Sequence, residues 1–149
     1  MRYLIFVLCI LFLVGCDSTD QKTIKKVKNA IGEQLKSPDS AKFSDIYIVR
    51  WKGVTSDAGY GNLAVCGVVN AKNSFGAYTG NNRFVVELSD NNGEKEPVIL
   101  HMNVESSEMR RSALTSKNND KSESLFEMLF WNMRCVDQKH PKTFTGIKK

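Results

Sequence analysis

The sequence predicts an α+β fold in which an N-terminal amphipathic helix, a four-stranded antiparallel meander and a buried C-terminal helix share one core. Three patterns carry the prediction. Ile24, Val27, Ile31 and Leu35 recur at helical spacing, Phe84, Val86 and Leu88 and then Val98, Leu100, Met102 and Val104 fall at every second position, and Leu125 to Met133 are apolar around most of a helix's girth.

The first helix covers Ser18 to Lys36. Lys22, Lys25, Lys26, Lys28 and Glu33 fill its other faces, and Ser18 with Gln21 fits a capping box. Ser37-Pro38 ends it, because a residue before proline is pushed out of helical geometry. Ile46 to Trp51 mixes β-branched and aromatic residues and reads as the first strand. Residues 52–62 are turn-rich; Gly59 and Gly61 do not make a nucleotide loop, since no helix pattern or third glycine follows. Leu63 to Ala71, continuously apolar around Cys66 and Gly67, reads as a second strand covered on both faces. Phe84, Val86 and Leu88 mark the third strand, and Val98, Leu100, Met102 and Val104 the fourth. Asp90-Asn91-Asn92-Gly93 between them is a hairpin-type turn, and it lacks the carboxylates that a calcium loop needs. Glu105 to Lys121, with Arg110 and Arg111 at its middle, reads as a long, exposed and mobile connection holding at most one helical turn. Ser124 with Glu127 fits a second capping box, opening a helix to Cys135 that must be largely buried. The tail from Asp137, with Lys139, Lys142, Lys148 and Lys149, is basic and expected to be loose.

At 149 residues, 42% hydrophobic and 25% charged, the chain suits one compact domain. A second large domain, large catalytic architectures and disorder over the whole length are excluded.

Arg2 followed by the apolar run Tyr3 to Val14 is the pattern of a secretory signal, too short for a membrane span of about 20 residues. Its end, Leu13-Val14-Gly15-Cys16, resembles the lipobox of bacterial lipoprotein precursors. The resemblance implies a diacylglycerol on the Cys16 thiol, cleavage before it, and an acyl chain such as palmitate on the new N-terminus. Two or three chains anchor stably where one does not. The expected organisation is a signal peptide over 1–15, a lipidated N-terminus and tether over 16–21, a single domain over 22–138 and a basic tail over 139–149. A transmembrane helix that happens to end in Gly-Cys is the competing reading, and the polar run Asp17 to Gln21 argues against it. Asp17 resembles the enterobacterial signal for retention in the inner membrane, on the exported side. Loss of Arg2 lowers the formal charge of +5 to about +4.

Cys9 then leaves with the signal and Cys16 is taken by lipid, so Cys66 and Cys135 remain in an oxidising compartment. They are expected to pair, closing a loop of about 70 residues that contributes about 4 kcal/mol on the chain-entropy model; two buried free thiols are the alternative. No metal site is expected, since there is no C-x-x-C and the histidines, His101 and His140, are far apart in sequence.

Residues 66–80 read C-G-V-V-N-A-K-N-S-F-G-A-Y-T-G, and residues 37–43 read S-P-D-S-A-K-F. Together they resemble a group of small exported bacterial proteins and lipoproteins that carry the same two segments, a group that implies a fold expectation and little chemistry. Ala77 stands where that pattern has a further small residue, often glycine. Asn70, Lys72, Asn73 and Tyr78 present amide donors and acceptors, a positive charge and a flat ring with a hydroxyl, so they are candidate ligand-binding residues. In the other reading the asparagines cap backbone groups, Gly76 and Gly80 permit a turn, and Tyr78 packs on the sheet.

No Ser-His-Asp set, paired acidic site or H-E-x-x-H occurs, so no catalytic residue and no cofactor is expected. The expected function is a membrane-anchored, non-catalytic lipoprotein, monomeric, whose domain binds an envelope protein or cell-wall component, with exclusion, immunity or inhibition as special cases. An enzyme acting on envelope glycans or peptides through Lys72, Tyr78 and His101, or a purely structural envelope component, are the rivals. Nucleic acid is not an expected partner, because a lipid-anchored exported protein rarely meets it.

Overall fold

The computed structural model describes residues 19–51, 61–90, 96–111, 113–114 and 122–146. The signal segment, Cys16, Asp17, the Ser18 cap, residues 52–60 of the turn-rich stretch, Asn91 to Gly93 of the hairpin turn and residues 115–121 of the long connection lie outside them.

The chain runs from helix α1 (Thr19–Gln34) through a single 3-10 turn (Pro38–Ser40) into strands β1 (Lys42–Arg50), β2 (Leu63–Asn70), β3 (Asn82–Ser89) and β4 (Val98–Val104). The four strands form one antiparallel sheet in sequence order, β1-β2-β3-β4. A short helix α2 (Ser107–Arg111) and a two-residue pairing of Ala113–Leu114 with Glu123–Ser124 follow. The C-terminal helix α3 is π-wound over Glu127–Trp131 and α-wound over Asn132–Arg134. The expected α+β class holds.

The sheet is covered on both faces, and the period of two in its strands decides which side chain goes where. Leu63, Val65 and Val69 of β2 with Phe84, Val86 and Leu88 of β3 face α1, meeting Val27 and Ile31. Ala64 and Cys66 with Val85 face the other way, toward Phe126, Trp131 and Cys135. This double cover explains why β2 has no polar face. α1 lies antiparallel to β1: Asp20 in its first turn pairs with Arg50 at the end of β1, and the Lys28 ammonium sits 5.7 Å from the Phe43 ring near the start of β1. Cys66 and Cys135 come to bonding distance with Cα atoms 5.9 Å apart, tying β2 to the end of α3. The Tyr47 hydroxyl donates to the Cys135 carbonyl at 2.7 Å beside this junction.

Four details differ from the sequence reading. β1 begins at Lys42 and not Ile46, because Lys42, Phe43 and Ser44 already pair with Asn70, Val69 and Val68 before a bulge at Asp45, whose φ is +49°. In β4 the inward phase slips: Ile99 pairs opposite Leu88 and packs in the core, while Val98 is 58% exposed. A register shift between Glu87 and Leu88 is the cause, since one extra residue reverses the faces beyond it. Both outer strands are thus bulged, a device that discourages further strand pairing. In α3, Glu127 is fully buried whereas Leu129 and Met133 are 44% and 56% exposed. π winding bonds each turn to the fifth residue, which sets Phe126 and Trp131, five apart, in one core and turns Leu129 outward. Finally, the tail expected to be loose is docked as far as Gly146, whose amide donates to the Ser122 carbonyl at 3.0 Å.

Gly67 lies opposite Phe84, and a Cβ there would stand 2.7 Å from the ring. Gly67→Ala is therefore expected to lower stability by about 1–3 kcal/mol, through overpacking of a filled core, as read from chemical denaturation midpoints.

Candidate functional site

Residues 71–80 form a loop at one end of the sheet, and its backbone is closed by its own side chains. Asn73 Oδ1 accepts from the amides of Phe75 and Ala77 at 3.0 and 3.1 Å. The Asn73 amide donates to the Ala77 carbonyl, the Gly76 amide to the Asn73 carbonyl and the Thr79 amide to the Ala71 carbonyl. Gly76 and Gly80 take φ of +79° and +91°, a region costly for a residue with a Cβ. Lys72 and Tyr78 pair across the loop.

The two segments set apart by their sequence pattern are one unit in space. The Ser40 hydroxyl, from S-P-D-S-A-K-F, accepts from the Lys72 amide at 2.9 Å. The Lys42 ammonium lies 4.7 Å from the centre of the Tyr78 ring and that of Lys72 5.5 Å from it. Phe43 meets Phe84 edge-on at 6.0 Å. Of the candidate ligand residues, Lys72 and Tyr78 are therefore together at the surface, Asn73 is engaged with the loop backbone, and Asn70 turns its Oδ1 into a buried position with no hydrogen-bond partner among the described residues. Sequence reasoning passed over Phe75. It is 95% exposed at the tip, and its amide is held by Asn73. The signal was a lone aromatic between Ser74 and Gly76 in a turn.

This loop offers an apolar knob at its tip and, at Tyr78, a ring with two ammonium groups. Cations over an aromatic face are held by its quadrupole and stay free to meet an anion on their outer side. His101 is exposed on β4 opposite Glu87, and Glu87 is in register with Ala64, six residues along β2 from Asn70; the fold does not bring His101 to Lys72 and Tyr78. Among the described residues no group of three His, Cys, Asp or Glu is placed to hold a metal ion, and no helix is long and apolar enough to cross a membrane. A shallow cleft of about 290 Å³ between β1 and the tail is lined by Asp45, Tyr47, Trp131 and His140. His140 fills part of that region, stacking on Tyr47 at 3.6 Å while Nδ1 lies 2.8 Å from Asp137 Oδ1.

The strongest polar assembly lies behind this surface, at Arg83 in β3. Its five N–H donors meet Glu105 twice, Glu127, Thr143 and Thr145 at 2.6–3.3 Å. Arg110, expected in a mobile connection, donates to Glu105 and to the Asn81 carbonyl. The Ser124–Glu127 capping box forms in both directions, the Ser124 amide to Glu127 Oε2 at 2.8 Å and the Glu127 amide to the Ser124 hydroxyl at 3.2 Å. Burial pushes the Glu127 carboxyl up, but the Ser124 and Thr145 amides, then Thr143 and Arg83, outweigh it and hold it at about 2. Glu105 is lowered likewise: burial opposes, and Arg83 then Arg110 prevail. These groups join β3, α3 and the tail, and Arg83 and Thr143 also line the cleft between β1 and the tail.

No protein-family model, no curated protein and no solved structure matches the chain.

The folded state binds the Glu127 proton more weakly than the unfolded chain, so its contribution is complete above the ordinary value of 4.5 and disappears as pH falls toward 2. We expect stability to decline across that window by on the order of 3 kcal/mol from this group, measured by urea midpoints against pH. Glu127→Gln should flatten that part of the profile and be less stable at neutral pH.

Proposed function

We infer that the protein is a non-catalytic binding module tethered to a bacterial membrane through Cys16, which holds the Phe75–Tyr78 tip toward an envelope protein. One observation carries the reading: an almost fully exposed phenylalanine on a loop closed by its own hydrogen bonds, the same loop whose Tyr78 ring carries the Lys42 and Lys72 ammonium groups. A pre-ordered loop loses little freedom on binding, and aromatic side chains dominate interface energies. The tip also stands at the end of the sheet opposite the first turn of α1, where a tether at Cys16 joins the domain. An anchored domain oriented by that tether reaches outward with the tip. Exclusion, immunity and inhibition are the special cases of such tethered binding in this reading.

The test is in vivo photocrosslinking with a photoreactive residue at position 75 and a matched probe at His101. One dominant envelope-protein adduct at 75 and none at 101 is expected. Phe75→Ala should then weaken that complex by about 2 kcal/mol while leaving the denaturation midpoint unchanged. Equal or absent adducts at the two positions would contradict the reading.

A further inference from the structure

We propose that the first two turns of α1 form an electrostatic contact with an anionic bilayer, which fixes how the tethered domain stands on the membrane; the proposal rests on the tethered reading above. The apolar run ends at Val14 and Cys16 follows, so the chain leaves the bilayer only a few residues before Thr19. An extended chain covers at most about 3.5 Å per residue, which keeps Thr19 within roughly 10 Å of a lipidated Cys16. That is about one Debye length at moderate salt. From Lys22 to Lys28 the helix rises only about 9 Å.

The charges in this stretch are one-sided. Lys22, Lys25, Lys26 and Lys28 face a single acid of α1's first half, Asp20, and Asp20 is paired with Arg50. Lys26 is occupied by the Pro97 carbonyl and Glu96, and Lys28 by the Phe43 ring. Lys22 and Lys25 are exposed, and neither has an ion-pair partner among the described residues. The opposite side of the same helix is taken, with Thr23, Val27 and Ile31 buried against the sheet. A tether at Cys16 brings lipid headgroups within reach of these outward lysines. A lysine near an anionic surface contributes a factor of about five in association. Held this way, α1 cannot rotate its sheet-side partner freely, and the Phe75 tip keeps one direction.

The experiment uses the full chain reconstituted in pure phosphatidylcholine vesicles and in phosphatidylcholine–phosphatidylglycerol vesicles, with residue-resolved rates of amine acylation read by mass spectrometry. Lys22 and Lys25 are expected to react about fivefold more slowly on the phosphatidylglycerol vesicles, with the difference removed by high salt, while Lys42 and Lys72 react equally on both. Equal rates at Lys22 and Lys25 on the two vesicles, or equal slowing of all four lysines, would overturn the proposal. The intact mass of the same sample reports acylation of Cys16 separately. An unmodified Cys16 refutes the lipid tether, and the lysine rates still decide the headgroup contact.

Discussion

Arg83 has all five of its N–H donors in hydrogen bonds, and the geometry of those bonds determines how the second half of the molecule is assembled. The guanidinium projects from β3, joins Glu105 just past β4, reaches Glu127 in α3 and holds Thr143 and Thr145 in the tail. It also lies over two rings, 5.5 Å from Phe126 and 5.3 Å from Trp131. A half-buried arginine with two buried carboxylates is not a source of large net stability, because desolvation offsets much of the attraction. Its value is positional: each carboxylate is satisfied in one arrangement only. Removing the cation would leave Glu127 buried without a counter-charge and Glu105 with Arg110 alone.

That constraint connects the two halves of the structure. On the α1 side the packing is apolar, set by Val27 and Ile31 against β2 and β3. On the α3 side the apolar contact is smaller, and the Cys66–Cys135 link, the Tyr47–Cys135 bond and the Arg83 cluster supplement it. The result is a stiff sheet whose open end carries the 71–80 loop. A stiff base matters for that loop, because an exposed aromatic is useful as an anchor only if its direction is fixed.

Much of this was legible in sequence, and the reasons for the exceptions are physical. Periods of 3.6 and 2 located α1 and the four strands because each has a buried face, and the Ser124–Glu127 spacing found its capping box because that motif is local. The cysteine pair was legible once Cys9 and Cys16 were set aside. The burial of Glu127 and its ion pair were not legible, since the counter-charge, Arg83, is 44 residues away and no local pattern announces it. The slip of Val98 and Ile99 depends on a bulge, which a two-residue period cannot register. Phe75 escaped because a single aromatic in a turn has no periodicity at all, and Asn70 looked available because burial of its Oδ1 depends on neighbours brought in by the fold.

Residue-resolved hydrogen exchange on Arg83→Met tests the central role of the cluster most directly. The amides of Ser124, Thr145 and Gly146 are expected to lose protection together, while those of Val27 and Ile31 on the α1 side keep theirs. Unchanged protection of the three tail-side amides, or equal loss on both sides of the sheet, would contradict it.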